Sequence, residues 1–144
     1  PDVPVVGFSG DGAFGIAVNE LTAIGRKEWP AVTQIVFRNY QWGAEKRNST
    51  LWYDDNFVGT ELDTQVSYAG IAKACGLQGV VAKTMDELTE ALHTAIKDQM
   101  ENGKTTLIEA MINQELGEPF RRDAMKKPVA IAGISVSDMQ EQAV

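Results

Sequence analysis

A single cysteine, Cys75, stands in 144 residues, so no internal disulfide can form and no zinc-ligand spacing exists. Histidine is as scarce: His93 is the only one. No apolar run approaches membrane-spanning length, and no signal-peptide pattern opens the chain. Positive charge is in deficit, with 13 Lys and Arg against 20 Asp and Glu, a net charge of −7. That balance argues against nonspecific binding to nucleic acid or an anionic membrane, whose phosphates would repel it. There is no internal repeat and no low-complexity tract. An initiator Met is also missing, and a core-like strand begins almost at once. The expectation is a cytoplasmic protein, and a piece excised from a longer polypeptide.

What is present is ordinary for a globular domain: 44% hydrophobic and 23% charged residues, in a length that holds one sizeable core. Two stretches organise it. The first is Gly10-Asp11-Gly12-Ala13-Phe14-Gly15, preceded by the apolar run 3–8. That run reads as a buried strand, and the residues after the glycines show helical spacing. The glycines therefore occupy a tight strand-to-helix turn, whose free N–H groups suit a phosphate. Asp11 in the same turn would repel a diphosphate unless a divalent cation lay between them. Mg²⁺ takes six hard oxygens, commonly one or two from carboxylates and others from substrate phosphates. The second stretch, Arg38-Asn39-Tyr40-Gln41-Trp42-Gly43, offers Asn39 as a further neutral oxygen at the end of the next apolar strand.

Two other readings fit the glycines. Gly10-x-Gly12-x-x-Gly15 matches a dinucleotide fingerprint, with Arg38 able to meet the 2′-phosphate of NADP in place of the usual acid. Alternatively the glycines only shape a turn and Asp11 caps a helix.

Along the rest of the chain, Phe14, Ala17, Val18, Leu21 and Ile24 predict a helix against a sheet, ending before Pro30, with Glu20 exposed. Residues 31–37 predict a second strand, parallel to the first and joined to it by a right-handed crossover. Ligands of such sheets bind at the carboxyl ends of the strands, where Asp11 and Asn39 both fall. Residues 40–59 show no sustained period and predict a long loop with a short helix at its start. Its aromatics Trp42, Trp52, Tyr53 and Phe57 read singly as anchors, and the segment as a cover for the ligand. Asp63 predicts the cap of a helix running to Cys75, with Ala69 and Ala72 inward and Gly76 at its end. A third strand follows at 79–82. Thr84 and Glu87 form a capping-box signature for a helix with Leu88, Ala91, Leu92, Ala95, Ile96 and Met100 inward, stopped by Gly103. A fourth strand is predicted at 105–112. Then come Arg121, Arg122, Lys126 and Lys127, a basic cluster in an acidic chain, before an unpatterned end. Cys75 reads as a small apolar residue and His93 as solvated.

The pair Gly-Asp-Gly and then Asn, after 26 intervening residues, resembles the cofactor motif of thiamine-diphosphate-dependent enzymes. The element order is similar to the carboxyl-terminal, diphosphate-binding domain of their acetohydroxyacid-synthase-like group, a three-layer α/β/α fold with a mostly parallel sheet. The resemblance implies thiamine diphosphate and Mg²⁺ as cofactors. It implies that Asp11, the Asn39 side chain and the Gln41 carbonyl hold the metal. Gly10, Gly12, Ala13, Phe14 and Gly43 would touch the cofactor, the first four through the glycine turn. The runs 36–48 and 112–128 narrow the resemblance to a desulfonating acetyltransferase branch, in which sulfoacetaldehyde and phosphate give acetyl phosphate and sulfite. Lys46, Arg47, Arg121 and Arg122 are its candidates for the anionic substrates. A carboligase of the acetolactate-forming kind and a non-catalytic cofactor-binding module remain open. The resemblance further implies amino-terminal pyrimidine-binding and central domains outside this chain, the first bearing an activating glutamate, and a homo-oligomeric parent. The isolated domain would then be inactive.

Overall fold

The computed structural model describes residues 2–26 and 28–114. Among these residues four strands form one sheet: β1 (Val6–Gly10), β2 (Thr33–Arg38), β3 (Gln78–Ala82) and β4 (Thr106–Met111). All pairs are parallel, in the order β1-β2-β4-β3. Parallel neighbours need crossovers, and these place helices on both faces. On one face α1 (Asp11–Ile16), α2 (Leu21–Ile24) and α4 (Tyr68–Ala74) cover a core of Leu21, Val36, Tyr68, Ala69, Ala72 and Leu107. On the other, α5 (Met85–Asn102) covers Ile35, Ala82, Ala91, Ala95, Ile108 and Ala110. The three-layer α/β/α expectation is met.

The strongest local signals hold. Thr84 Oγ1 accepts from Glu87 N at 3.1 Å, and the Glu87 carboxylate accepts from Thr84 N, a complete capping box. Gly103 ends α5 in the left-handed conformation at φ 60°. His93 and Glu20 are exposed, and Cys75 is half-buried against the first core.

Several expectations are corrected. The first strand begins later than residue 3 and, among the described residues, lies at a sheet edge, where Val3, Val5 and Phe8 are exposed. The Phe8 ring stacks on Phe37 with centroids 6.1 Å apart. The helix after the glycines is broken into α1, a 3₁₀ turn at Val18–Glu20 and α2, and Ala17 turns outward. Residues 40–59 hold a full helix, α3 (Gly43–Trp52), whose polar surface hid its period. Trp52, Tyr53 and Phe57 are exposed rather than packed into the core, and the Phe57 ring lies 5.3 Å from Lys46 Nζ. Ser67 caps α4, accepting from Gly70 N at 3.1 Å. Asp63 instead closes a local turn, accepting from Gln65 N at 2.7 Å. On α5 the inward position near the end is Gln99, which bonds Thr33 Oγ1 and the Ala31 carbonyl, while Met100 faces out.

Candidate functional site

Asp11 opens α1 at the carboxyl end of β1, and Arg38 ends β2 beside it, because Gly10 pairs with Phe37 in the register. Asp11 is 2% exposed. Its Oδ1 accepts from Gly12 N at 2.9 Å. Its Oδ2 accepts from Tyr40 N at 2.7 Å, Asn39 N at 3.1 Å and Arg38 Nη1 at 3.2 Å. Tyr40 reaches this geometry with φ 60°, a left-handed backbone uncommon for a residue with a Cβ. Such strain clusters where the surroundings over-determine the chain.

Asp11, Asn39 and Gln41 line one cleft of about 350 Å³, with Trp42, Glu45 and Ile112. Gly10, Gly12, Ala13 and Gly43 line it too. Seven of the eight residues singled out from the sequence thus share one concavity. Phe14 does not: its ring packs edge-on to Tyr68 at 5.1 Å, so only its backbone faces the turn. Gly10 has φ −75°, which any residue adopts, and a Cβ there would meet nothing within 4 Å. Its glycine leaves room at the cleft. Gly15 is different, since a Cβ would come within 2.7 Å of the Tyr68 hydroxyl.

The segment beyond Asn39 doubles back. Trp42 N donates to Thr60 O, Leu62 N donates to Tyr40 O, and Gln41 bridges Glu61 in antiparallel fashion. Both ends of the 40–62 excursion are therefore pinned beside the cleft. Gln41 is 3% exposed; its Nε2 donates to Gln114 O, while its Oε1 has no partner among the described residues. A buried acceptor left open is costly and marks a place where a donor or cation fits.

Charge around the cleft is unlike what the sequence suggested. Arg38 is 1% exposed. Its Nη2 donates to the carbonyls of Asp63 and Val66, and its Nε lies 3.4 Å from Glu109 Oε1, in ion-pair range without hydrogen-bond alignment. The rings of Tyr40 and Tyr68 lie 4.2 and 4.8 Å from its guanidinium carbon. So engaged, it cannot turn out to meet a 2′-phosphate, and the NADP reading loses its residue. Glu109 was missed altogether. From β4 its carboxylate reaches the start of α4, accepting from Ala69 N and Ser67 Oγ. A lone acid inside the apolar run of β4 and a lone base ending that of β2 were the available signal, since buried charges come paired. Lys46 forms an ion pair with Glu61 and lies near Phe57, outside the cleft. That contact holds the Glu61 carboxyl below its usual range. Burial holds the Tyr68 hydroxyl above its own. Arg47 is half-buried on α3, and Arg121, Arg122, Lys126 and Lys127 lie outside the described residues.

No three His, Cys, Asp or Glu side chains gather among the described residues. The described residues alone thus offer no closed metal cage. A Mg²⁺ ion shared with phosphate oxygens needs none: one carboxylate, an amide oxygen and a carbonyl suffice. Asp11 Oδ1, Asn39 and Gln41 in one cleft fit that description.

The chain matches the family described as thiamine pyrophosphate enzyme, C-terminal TPP binding domain, over residues 1–110. It belongs to that family. The match takes in the whole cleft apart from Ile112. Among curated relatives, the chain is 85% identical over its full length to the sulfoacetaldehyde acetyltransferase of Roseovarius nubinhibens, covering 24% of that protein. It is 79% identical over 99% of its length to the enzyme of the same name from Rhodobacter capsulatus, again covering 24%. The chain of this TPP domain thus spans about a quarter of the length of these relatives. Among solved structures, benzoylformate decarboxylase from Polynucleobacter necessarius superposes with a TM-score of 0.67 at 27% identity, over 83% of this chain and 21% of that one. No helix among the described residues is long and apolar enough to cross a membrane.

Proposed function

We propose that this TPP domain is the diphosphate- and Mg²⁺-binding part of a sulfoacetaldehyde acetyltransferase, which converts sulfoacetaldehyde and phosphate to acetyl phosphate and sulfite. The observation that carries the reading is the 85% identity over the full chain to an enzyme of that name, with the cleft intact.

In this reading Asp11 Oδ1, the Asn39 side chain and the Gln41 carbonyl hold Mg²⁺. The backbone of Gly10, Gly12, Ala13, Phe14 and Gly43 contacts the cofactor, with the first turn of α1 offering N–H groups to its diphosphate. When bound, the cofactor supplies the carbon nucleophile and electron sink that carbon–sulfur cleavage requires. The chain's own residues hold, orient and neutralise. Lys46, Arg47, Arg121 and Arg122 are the candidates for sulfonate or phosphate, and Lys46 is paired with Glu61.

The remainder of the parent supplies a pyrimidine-binding domain with the activating glutamate, and a central domain. It works as a homo-oligomer in the cytoplasm, and this domain alone does not turn over. The test is the full-length enzyme, assayed for sulfite release with sulfoacetaldehyde. Release that needs phosphate, thiamine diphosphate and Mg²⁺ together is expected. Acetolactate formation without phosphate dependence would move the reading to a carboligase. Cofactor binding with neither reaction would leave a non-catalytic module.

A further inference from the structure

We infer that Arg38 is the positioning residue of this metal centre: it locks Asp11 so that one carboxylate oxygen alone faces the cation, and so biases the centre toward a small six-coordinate ion. The inference rests on the reading of Asp11 as a metal ligand.

The hydrogen bonds carry the argument. Asp11 Oδ2 already accepts from three donors, Arg38 Nη1 and the amides of Asn39 and Tyr40. A carboxylate oxygen has about two lone-pair sites, so Oδ2 has nothing left to give. Oδ1 accepts from Gly12 N alone and keeps capacity. Asp11 therefore acts with one oxygen. Mg²⁺ demands near-ideal octahedral geometry, whereas Ca²⁺ accepts more ligands and bidentate carboxylates. A carboxylate that cannot turn to offer both oxygens favours the first.

Arg38 is built to hold that pose. Its guanidinium is held by the carbonyls of Asp63 and Val66 at 2.8 and 3.0 Å, by Glu109 at 3.4 Å and by two tyrosine rings. It cannot swing away when a cation arrives. Glu109 also resolves an electrostatic conflict. A cation so close to a metal site opposes the metal, and a second buried carboxylate leaves the trio with one net negative charge.

Position and charge thus predict opposite signs. If Arg38 acted only through its charge, removing it would tighten Mg²⁺ binding. If it positions Asp11, removing it weakens binding and loosens selectivity. The experiment uses the full-length enzyme with saturating thiamine diphosphate, titrated with Mg²⁺ and separately with Ca²⁺. Binding is followed by tryptophan fluorescence, since Trp42 lies against Gly12 at the cleft. Arg38→Met is expected to raise the Mg²⁺ Kd about tenfold or more, as loss of an outer partner does elsewhere. Ca²⁺ affinity should fall less, so the Mg²⁺-to-Ca²⁺ preference shrinks. Arg38→Lys keeps the charge without the planar fork and should recover only part of it.

Arg38→Met leaves Glu109 buried without its cation, so the double variant Arg38→Met/Glu109→Gln keeps the question answerable if the single variant misfolds. It should fold and still bind Mg²⁺ weakly and with reduced preference. Tighter Mg²⁺ binding, or an unchanged preference, in a folded variant overturns the inference while the Asp11 reading stands. A wild-type enzyme that binds the cofactor with no metal dependence overturns both.

Discussion

The Tyr68 hydroxyl donates to the main-chain carbonyl of Asp11 at 3.1 Å, tying the start of α4 to the glycine turn across 57 residues of sequence. The two come from different crossovers, yet the turn that carries the metal-ligand candidate is steadied by a buried ring. Tyr68→Phe removes the hydrogen bond and keeps the ring. Unfolding in urea should show a loss of about 0.5–1.5 kcal/mol.

Gly15 faces the same hydroxyl. Gly15→Ala places a methyl within 2.7 Å of it and should cost about 1–3 kcal/mol, as overpacking does. In a Tyr68→Phe background most of that cost should vanish. A double-mutant cycle reads the coupling directly, and equal costs in both backgrounds would show that Gly15 is constrained by something else.

Asp11→Asn tests the centre of the site. The variant should lose Mg²⁺-dependent cofactor binding, read as phosphorus NMR shifts of the diphosphate in the full-length enzyme. It also takes a charge from a buried pair, so a loss of about 3–5 kcal/mol in stability is expected. Binding equal to wild type at equal Mg²⁺ would remove Asp11 from the metal.

Part of this site was legible in the sequence and part was not. The glycine turn and Asn39 could be singled out as candidates because their residue types stand out between apolar strands, and the structure brings them to one cleft. The capping box at Thr84 was found because its chemistry is local. The Arg38–Glu109 pair was not found, since the two lie 71 positions apart in sequence and meet only through the β2–β4 pairing. Asp63 and Ser67 are both good capping residues, and the choice between them was made by Glu109, which holds Ser67 and Ala69 N in place. Strand β1 was misjudged as buried because an apolar run cannot say whether it has one neighbour or two.

Thr84→Ala should unfold about 1 kcal/mol more easily, through loss of the α5 cap. Glu87→Ala removes the reciprocal half of the same box, so the two losses should not add. Chemical denaturation of both single variants and the double checks this.

Asp98 gives a pH signature. Hydrogen bonds from Gln78 and Asn102 hold its carboxyl below the ordinary value of 3.8. A depressed folded value means that its stabilisation is present above about pH 4 and fades as pH falls through the folded pKa. The difference in melting temperature between wild type and Asp98→Asn should therefore shrink between pH 6 and pH 3. A difference that stays constant over that range would count against the bonded carboxylate.

The interval between Asp11 and Asn39 is a path length rather than a distance. The two residues are set side by side by the pairing of Gly10 with Phe37 at one end of the sheet. The chain between them makes its return at the other end, where Thr33 N meets Val5 O and Thr106 N meets Val32 O. Residues gained or lost in that far turn would change the count and leave the two residues where they are, at an entropic cost of only about 0.6 kcal/mol for a doubled loop. The spacing by which such a motif is recognised can therefore drift while its geometry stays fixed. What the fold conserves here is a strand register, and the number of residues merely follows the route taken.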